Sequence, residues 1–210
     1  MRLILIISFL LTAVGCAQTE SEGNAALSPV SADNSYVVGQ DYRVLEQVIV
    51  DAPDVIELFF YGCEACSVIA PELESWSKER ELTLGLVPVH SETQLVDAAR
   101  LYHTLTSMGR GDLHIAAFKL YREESDLKGE DRLNAFLSEQ EVDQAEFWSA
   151  WQSEEVQQRL VGSYALNAMI RTRVTPTFIV HGKYVVEQDY LISDKGSVFS
   201  ILDYLIELEK

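Results

Sequence analysis

Basic residues are scarce. Sixteen Lys and Arg stand against 33 Asp and Glu in 210 residues, for a formal net charge of −17. That balance argues against nucleic acid or an anionic membrane binding through a basic face, and its simplest use is solubility. Cysteine is rarer still, with only Cys16, Cys63 and Cys66. Structural zinc takes four ligands as a rule, and the four histidines, His90, His103, His114 and His181, show no paired spacing. No internal repeat is visible. Hydrophobic content of 48% with 23% charged residues describes a globular chain. Its length suits one large domain or a small domain carrying an insertion.

What the chain does have is Cys63-Glu64-Ala65-Cys66 between a strand-like run and a helix-like run. Before it, 55–61 is continuously apolar apart from Glu57, as a buried strand would be. After it, Val68, Ile69, Leu73 and Trp76 recur at helical spacing. Two cysteines three positions apart at a helix start can alternate between dithiol and disulfide. The N-terminal amides and dipole of the helix favour a thiolate on the first of them. A structural or half-metal pair is the competing reading.

Residues 1–16 are expected to be a targeting segment. Met1-Arg2 supplies a positive end, and 3–11 is an apolar stretch too short to span a bilayer well. Thr12-Ala13-Val14-Gly15-Cys16 resembles a bacterial lipobox, which implies cleavage before Cys16 and lipid attachment to it. Ordinary signal cleavage is the alternative, because Ala13 and Gly15 are also small at suitable spacing. Lipidation would remove the thiol left over in an oxidising compartment. Residues 17–36 read as a flexible polar tether.

The folded part then reads as short strand material at 42–44 and 48–50, a central strand at 55–61, a helix at 63–80 and a strand at 82–90. A helical block fills 91–172, opened by a Ser91/Gln94 capping box, and its aromatics read as core. His181-Gly182 sits between two apolar runs as a two-residue hairpin turn. A final helix carries Val198, Ile201, Leu202 and Leu205.

The stretch 63–71, with Pro71 five residues past Cys66, resembles the active-site helix of the thioredoxin superfamily. Arg173-Val174-Thr175-Pro176-Thr177 resembles its cis-proline loop, and Glu57 stands where relatives keep a buried acid. Pro176 lies 110 positions after Cys66. One strand, one helix and loops would fill only roughly 40–50 of those. The surplus implies an α/β chain with a thioredoxin-like fold and an inserted helical subdomain, similar to the DsbA family of thiol–disulfide oxidoreductases. The expected division is 37–94 and 171–210 for the thioredoxin-like domain and 95–170 for the insertion.

The resemblance implies roles. Cys63 is the exposed, reacting sulfur and Cys66 the resolving one. Thr175 and Pro176 form a substrate-facing loop, in which the Thr175 backbone pairs with a substrate strand. Glu57 is a proton acceptor for Cys66 if it is buried, and a charge at a sheet edge if it is not. The family typically has Pro-His between its cysteines, where this chain has Glu64-Ala65. At ~6–7 Å and an effective dielectric near 40–80, Glu64 would oppose a Cys63 thiolate by ~0.6–1.4 kcal/mol. The expected thiol pKa then lies between about 3.5 and about 8.5, and the expected potential below the roughly −120 mV of DsbA. Thr175, where many relatives have Val, is a second departure.

The implied function is a periplasmic, lipid-anchored enzyme that exchanges disulfides with exported proteins, in the manner of a dithiol oxidase. Its redox partner would be a quinone-linked membrane oxidase of the DsbB type, or an inner-membrane reductant if it runs as a reductase or isomerase. No cofactor is implied. A non-catalytic envelope lipoprotein with a structural disulfide is the reading from another class, and metal delivery is a third.

Overall fold

The computed structural model of the chain describes residues 36–91, 93, 95–123, 125–187 and 197–209. The expected signal segment, Cys16, residues 17–35 of the tether and Gln94 of the expected capping box lie outside them. Among the described residues five strands form one sheet: β1 (Arg43–Val44), β2 (Val55–Phe59), β3 (Leu84–Pro88), β4 (Thr177–Val180) and β5 (Tyr184–Glu187), in the order β1-β5-β4-β2-β3. β2 and β3 run parallel through the crossover helix α1 (Glu64–Glu79), and the other neighbours are antiparallel. Between β3 and β4 lie α2 (Val96–Ser107), a 3-10 turn (Gly111–Leu113), α3 (His114–Arg122), α4 (Gly129–Glu139), α5 (Gln144–Trp151) and α6 (Glu154–Ile170). α7 (Val198–Glu207) follows the hairpin.

β2 is the centre of the sheet, and all five of its residues are buried. Side chains alternate across a strand, and the packing follows that alternation. Val55 and Phe59 join cores on the α1 side, whereas Ile56 and Leu58 pack with Ile170 of α6 and with Ile179 and Val185. Glu57 shares parity with Val55 and Phe59, so its carboxyl points beneath α1.

The hairpin turn forms as its two residues predict. His181 and Gly182 both have positive φ, 50° and 62°, and the Lys183 N–H donates to the Val180 carbonyl at 3.0 Å. This is the primed turn whose twist matches that of its strands. A Cβ on Gly182 would lie 2.3 Å from the Ile49 carbonyl oxygen, so the position also needs a residue without a side chain. The expected strand material at 48–50 is not a strand. β1 pairs with β5 for two residues and then meets the hairpin turn, where the Leu45 N–H bonds to the Lys183 carbonyl and, within 48–50, the Ile49 N–H bonds to the Gly182 carbonyl. Val50 is left 80% exposed.

The helical block is bound to the sheet in two ways. Leu101 and Leu105 of α2, Phe118 of α3, Phe136 and Leu137 of α4 and Phe147 of α5 share one core with Phe59, Tyr61, Cys63, Cys66 and Ala70. Ser163 of α6 is also within 3.0 Å of His90 Nε2 and 3.1 Å of His103 Nε2, joining the end of β3 to α2 and α6. The described residues make one compact unit. Asp143 and Ser153 cap α5 and α6 by accepting N–H groups of their first turns.

Because this core is common to the block and the CxxC helix, Leu101→Ala should unfold both together. Denaturant unfolding is expected to remain a single transition, weakened by about 3 kcal/mol. A separate early transition confined to the helices would show the core to be divided.

Candidate active site

The site begins where β2 ends. Tyr61 and Gly62 carry the chain out of the sheet, and Cys63 takes an extended conformation (φ −77°, ψ 117°) as the N-cap of α1. In that place its Sγ accepts the N–H of Cys66 at 3.0 Å, as a capping oxygen would. The two cysteines form a disulfide with Cα atoms 5.3 Å apart. The pair is asymmetric, since Cys63 keeps 6% of its surface exposed and Cys66 none. Cys63 is therefore less open than the expected exposed sulfur, yet it is the only one of the two that another molecule can touch.

The loop before β4 closes on it. Thr175 and Pro176 are joined by a cis peptide bond, and the Thr175 carbonyl oxygen lies 3.5 Å from Cys63 Sγ. In the disulfide this is a contact, because the sulfur has no proton to give. In the dithiol form a Cys63 S–H would have one. Thr177 anchors the loop by donating its hydroxyl to the Val174 carbonyl at 2.8 Å.

Glu64 points outward, with its side chain 82% exposed, and meets Arg122 at 3.4 Å. Arg122 also donates to the Ser67 hydroxyl, one turn further along α1. It closes the last turn of α3, where a cation is favoured by that helix's own dipole. Nothing local in the sequence pairs positions 64 and 122, because only the packing of α3 on α1 brings them together. Arg122 offsets part of the charge that Glu64 places beside Cys63. Ala65 is partly buried against the first core.

Beneath the pair lies a buried aromatic and acidic layer. Glu57 has no exposed surface, and neither carboxylate oxygen has a hydrogen-bond partner. This rules out the sheet-edge reading. Burial pushes its pKa up to about 8, since a charge is costly where no partner replaces water. A cavity of about 340 Å³ opens beside it, lined among others by Ala70, Leu73 and Glu74 of α1, Asp112 and His114. His114 is itself buried and packs edge-on against Phe59, with ring centroids 4.7 Å apart. Burial drives its pKa down to about 4. As a lone histidine without a paired spacing, it had no mark in the sequence.

Among the described residues no cluster of three or more His, Cys, Asp and Glu side chains is placed to hold a metal ion. No helix among them is long and apolar enough to cross a membrane.

The chain is similar to known proteins. The model of the DSBA-like thioredoxin domain matches residues 57–195. The thiol:disulfide interchange protein DsbA of Bordetella pertussis is 29% identical over 156 residues, covering 73% of this chain and 75% of its own. That of Burkholderia cepacia is 27% identical over 217 residues, covering 96% of this chain and 95% of its own. The crystal structure of Pseudomonas aeruginosa DsbA superposes with a TM-score of 0.72 at 26% identity, covering 84% of this chain and 96% of that one.

Glu57 makes a prediction about stability. Its folded pKa of about 8 lies above the ordinary glutamate value of 4.5, because burial disfavours the charge. The stabilising contribution of the protonated form is thus complete below the unfolded pKa and is lost as pH rises through 8. Replacing it by neutral Gln should leave stability nearly unchanged at pH 4.5 and raise it by roughly 3 kcal/mol at pH 7. Urea unfolding of both proteins across that range measures the difference. A constant offset with no pH dependence would mean that Glu57 is not held protonated by the fold.

Proposed function

The chain belongs to the DsbA-like thioredoxin family and is a thiol–disulfide oxidoreductase, and from that premise we propose that it serves the cell envelope as a dithiol oxidase of exported proteins. The observation that carries the proposal is Cys63 at the N-cap of α1, disulfide-bonded to a fully buried Cys66 and bordered by Thr175.

In this reaction a substrate thiolate attacks Cys63 Sγ. The Sγ–Sγ bond breaks, and its electron pair leaves on Cys66. The second substrate thiol loses its proton and attacks the mixed disulfide, so Cys63 departs as a thiolate. The substrate gains a disulfide and the enzyme gains two electrons. The N-terminus of α1 stabilises the departing Cys63 thiolate, which drives the exchange toward substrate oxidation. Glu57, held protonated, gives its proton to the Cys66 thiolate in the forward direction and accepts it when the disulfide is restored. Thr175 offers its backbone to an extended substrate segment beside Cys63, and Pro176 shapes the loop that holds it there.

Glu64 makes the couple less oxidising than the roughly −120 mV of DsbA, and Arg122 narrows that difference. A quinone-linked membrane oxidase of the DsbB type would restore the disulfide, and an inner-membrane reductant would serve in the opposite direction. The division into 37–94, 95–170 and 171–210 is kept with this reading: the thioredoxin-like parts carry the cysteines and the proline loop, and the helical part covers them. We place the protein in the periplasm on a lipid at Cys16. The support for that anchor is the lipobox-like 12–16 stretch, followed by the polar stretch 17–36.

Cys63→Ser is expected to abolish oxidation of a model dithiol peptide. Given the peptide in its disulfide form, Cys66→Ser should accumulate a mixed disulfide, in which the Cys63 thiolate has opened the peptide S–S bond and released one peptide thiol, visible as a mass adduct that reductant removes. Retained turnover in Cys63→Ser, or an adduct that forms through Cys66 in Cys63→Ser but not through Cys63 in Cys66→Ser, would contradict the proposal.

A further inference from the structure

Glu57 can supply a proton only if the carboxylate it leaves behind is tolerated in a buried place. Below the cysteines two polar groups lack partners in complementary ways. Both oxygens of Glu57 are without a donor, and Nε2 of His114 is without an acceptor. The two residues line the same cavity of about 340 Å³, which is space enough for water. Native structures seldom leave such groups unsatisfied.

The other ring nitrogen settles what His114 offers. Nδ1 is 3.4 Å from the Tyr61 hydroxyl. Tyr61 is fully buried and keeps its proton, because burial raises its pKa. Among the described residues Nδ1 is the partner its hydroxyl has, so the O–H donates there rather than being left without an acceptor. A hydroxyl that donates to Nδ1 makes that nitrogen the acceptor. The single proton of the neutral ring is then on Nε2. His114 therefore presents an N–H where Glu57 presents acceptors. The ring is held in place by Phe59, Phe118 and Tyr102, each with its centroid within 5.8 Å.

We infer that His114, oriented by Tyr61, is the positioning residue that makes Glu57 a usable proton donor, by hydrogen-bonding its carboxylate across the shared cavity. The inference rests on the thiol–disulfide reading. When the Sγ–Sγ bond breaks, Cys66 holds the electron pair and takes the carboxyl proton of Glu57. The new carboxylate accepts a hydrogen bond from His114 Nε2–H, directly or through one water. Ala70, one turn from Cys66 on α1, borders the cavity on the cysteine side, and the exposed Glu74 and Asp112 border it toward solvent. Protons can be returned past those two carboxylates. The charged and titratable groups facing His114 are thus Glu57 from β2, Tyr61 after it, Glu74 from α1, Tyr102 from α2 and Asp112 from the 3-10 turn. Of these, Glu74 raises the pKa of His114, less strongly than burial lowers it.

The test uses the full chain with its disulfide formed and follows the Glu57 carboxyl by carbon NMR of labelled glutamate through a pH titration. His114→Phe keeps a ring in the aromatic cluster and removes the donor, while His114→Gln keeps an N–H. The Phe variant should raise the Glu57 pKa by about one unit, a tenfold loss of carboxylate at fixed pH. The Gln variant should restore most of the shift. The pH profile of dithiol oxidation should move in the same direction, and in a Glu57→Gln background His114→Phe should move nothing. An unchanged Glu57 titration in folded His114→Phe would overturn the inference. If the wild-type protein oxidised no dithiol at any pH, the oxidoreductase reading would fail, while the carboxyl titration would still decide whether His114 and Glu57 are paired.

Discussion

One N–H group holds this site together. The amide of Cys66 donates to the sulfur of Cys63 at the first turn of α1, where a helix leaves its first amides without carbonyl partners. A sulfur so placed is better tolerated as an anion than a thiol elsewhere. The difference between the two cysteines follows from this. Cys63 sits in the cap, touched by the Thr175 loop, and Cys66 sits one turn in, sealed within the core. The strand before the cap, the helix after it and the loop leading into the neighbouring strand β4 each supply one boundary.

The layer beneath works against stability and in favour of chemistry. A carboxyl buried without a partner is a standing cost at neutral pH. The neighbouring His103 and His114, both driven down to about 4 by burial, have the opposite sign. Their contributions are complete above the ordinary histidine pKa and are lost as pH falls toward 4. The acid and the two histidines thus pull the pH dependence of stability in opposite directions, with the acidic group lying beneath the cysteine pair. The helical block closes this layer, since Leu101, Phe118 and Phe147 belong to the core that contains Cys66.

Much of this could be read from the residues. The order of the elements, the helix beginning at the cysteine pair and the hairpin around His181-Gly182 all rest on local patterns, and those patterns hold. Glu57 stood out because a charge interrupts an otherwise apolar strand, although its face could be assigned only once β2 was seen at the sheet centre. What the sequence concealed is non-local. The 48–50 run has strand-forming residues, but the two-residue edge left by β5 gives it nothing to pair with. Arg122 and His114 carry no motif, and only the packing of α3 on α1 and β2 brings one to Glu64 and the other to the cavity of Glu57. The near-complete burial of Cys63 was likewise hidden, because it depends on the block and on the Thr175 loop, both remote in sequence.

The central claim is that the end of α1 holds the Cys63 sulfur as an anion, despite Glu64 beside it. Titrating the thiolate absorbance of the reduced protein, with Cys66 replaced by Ser so that one thiol remains in the folded part, tests it most directly. The account predicts a pKa clearly below the about 8.5 of free cysteine and above the about 3.5 of DsbA. A value at or above that of free cysteine would contradict it.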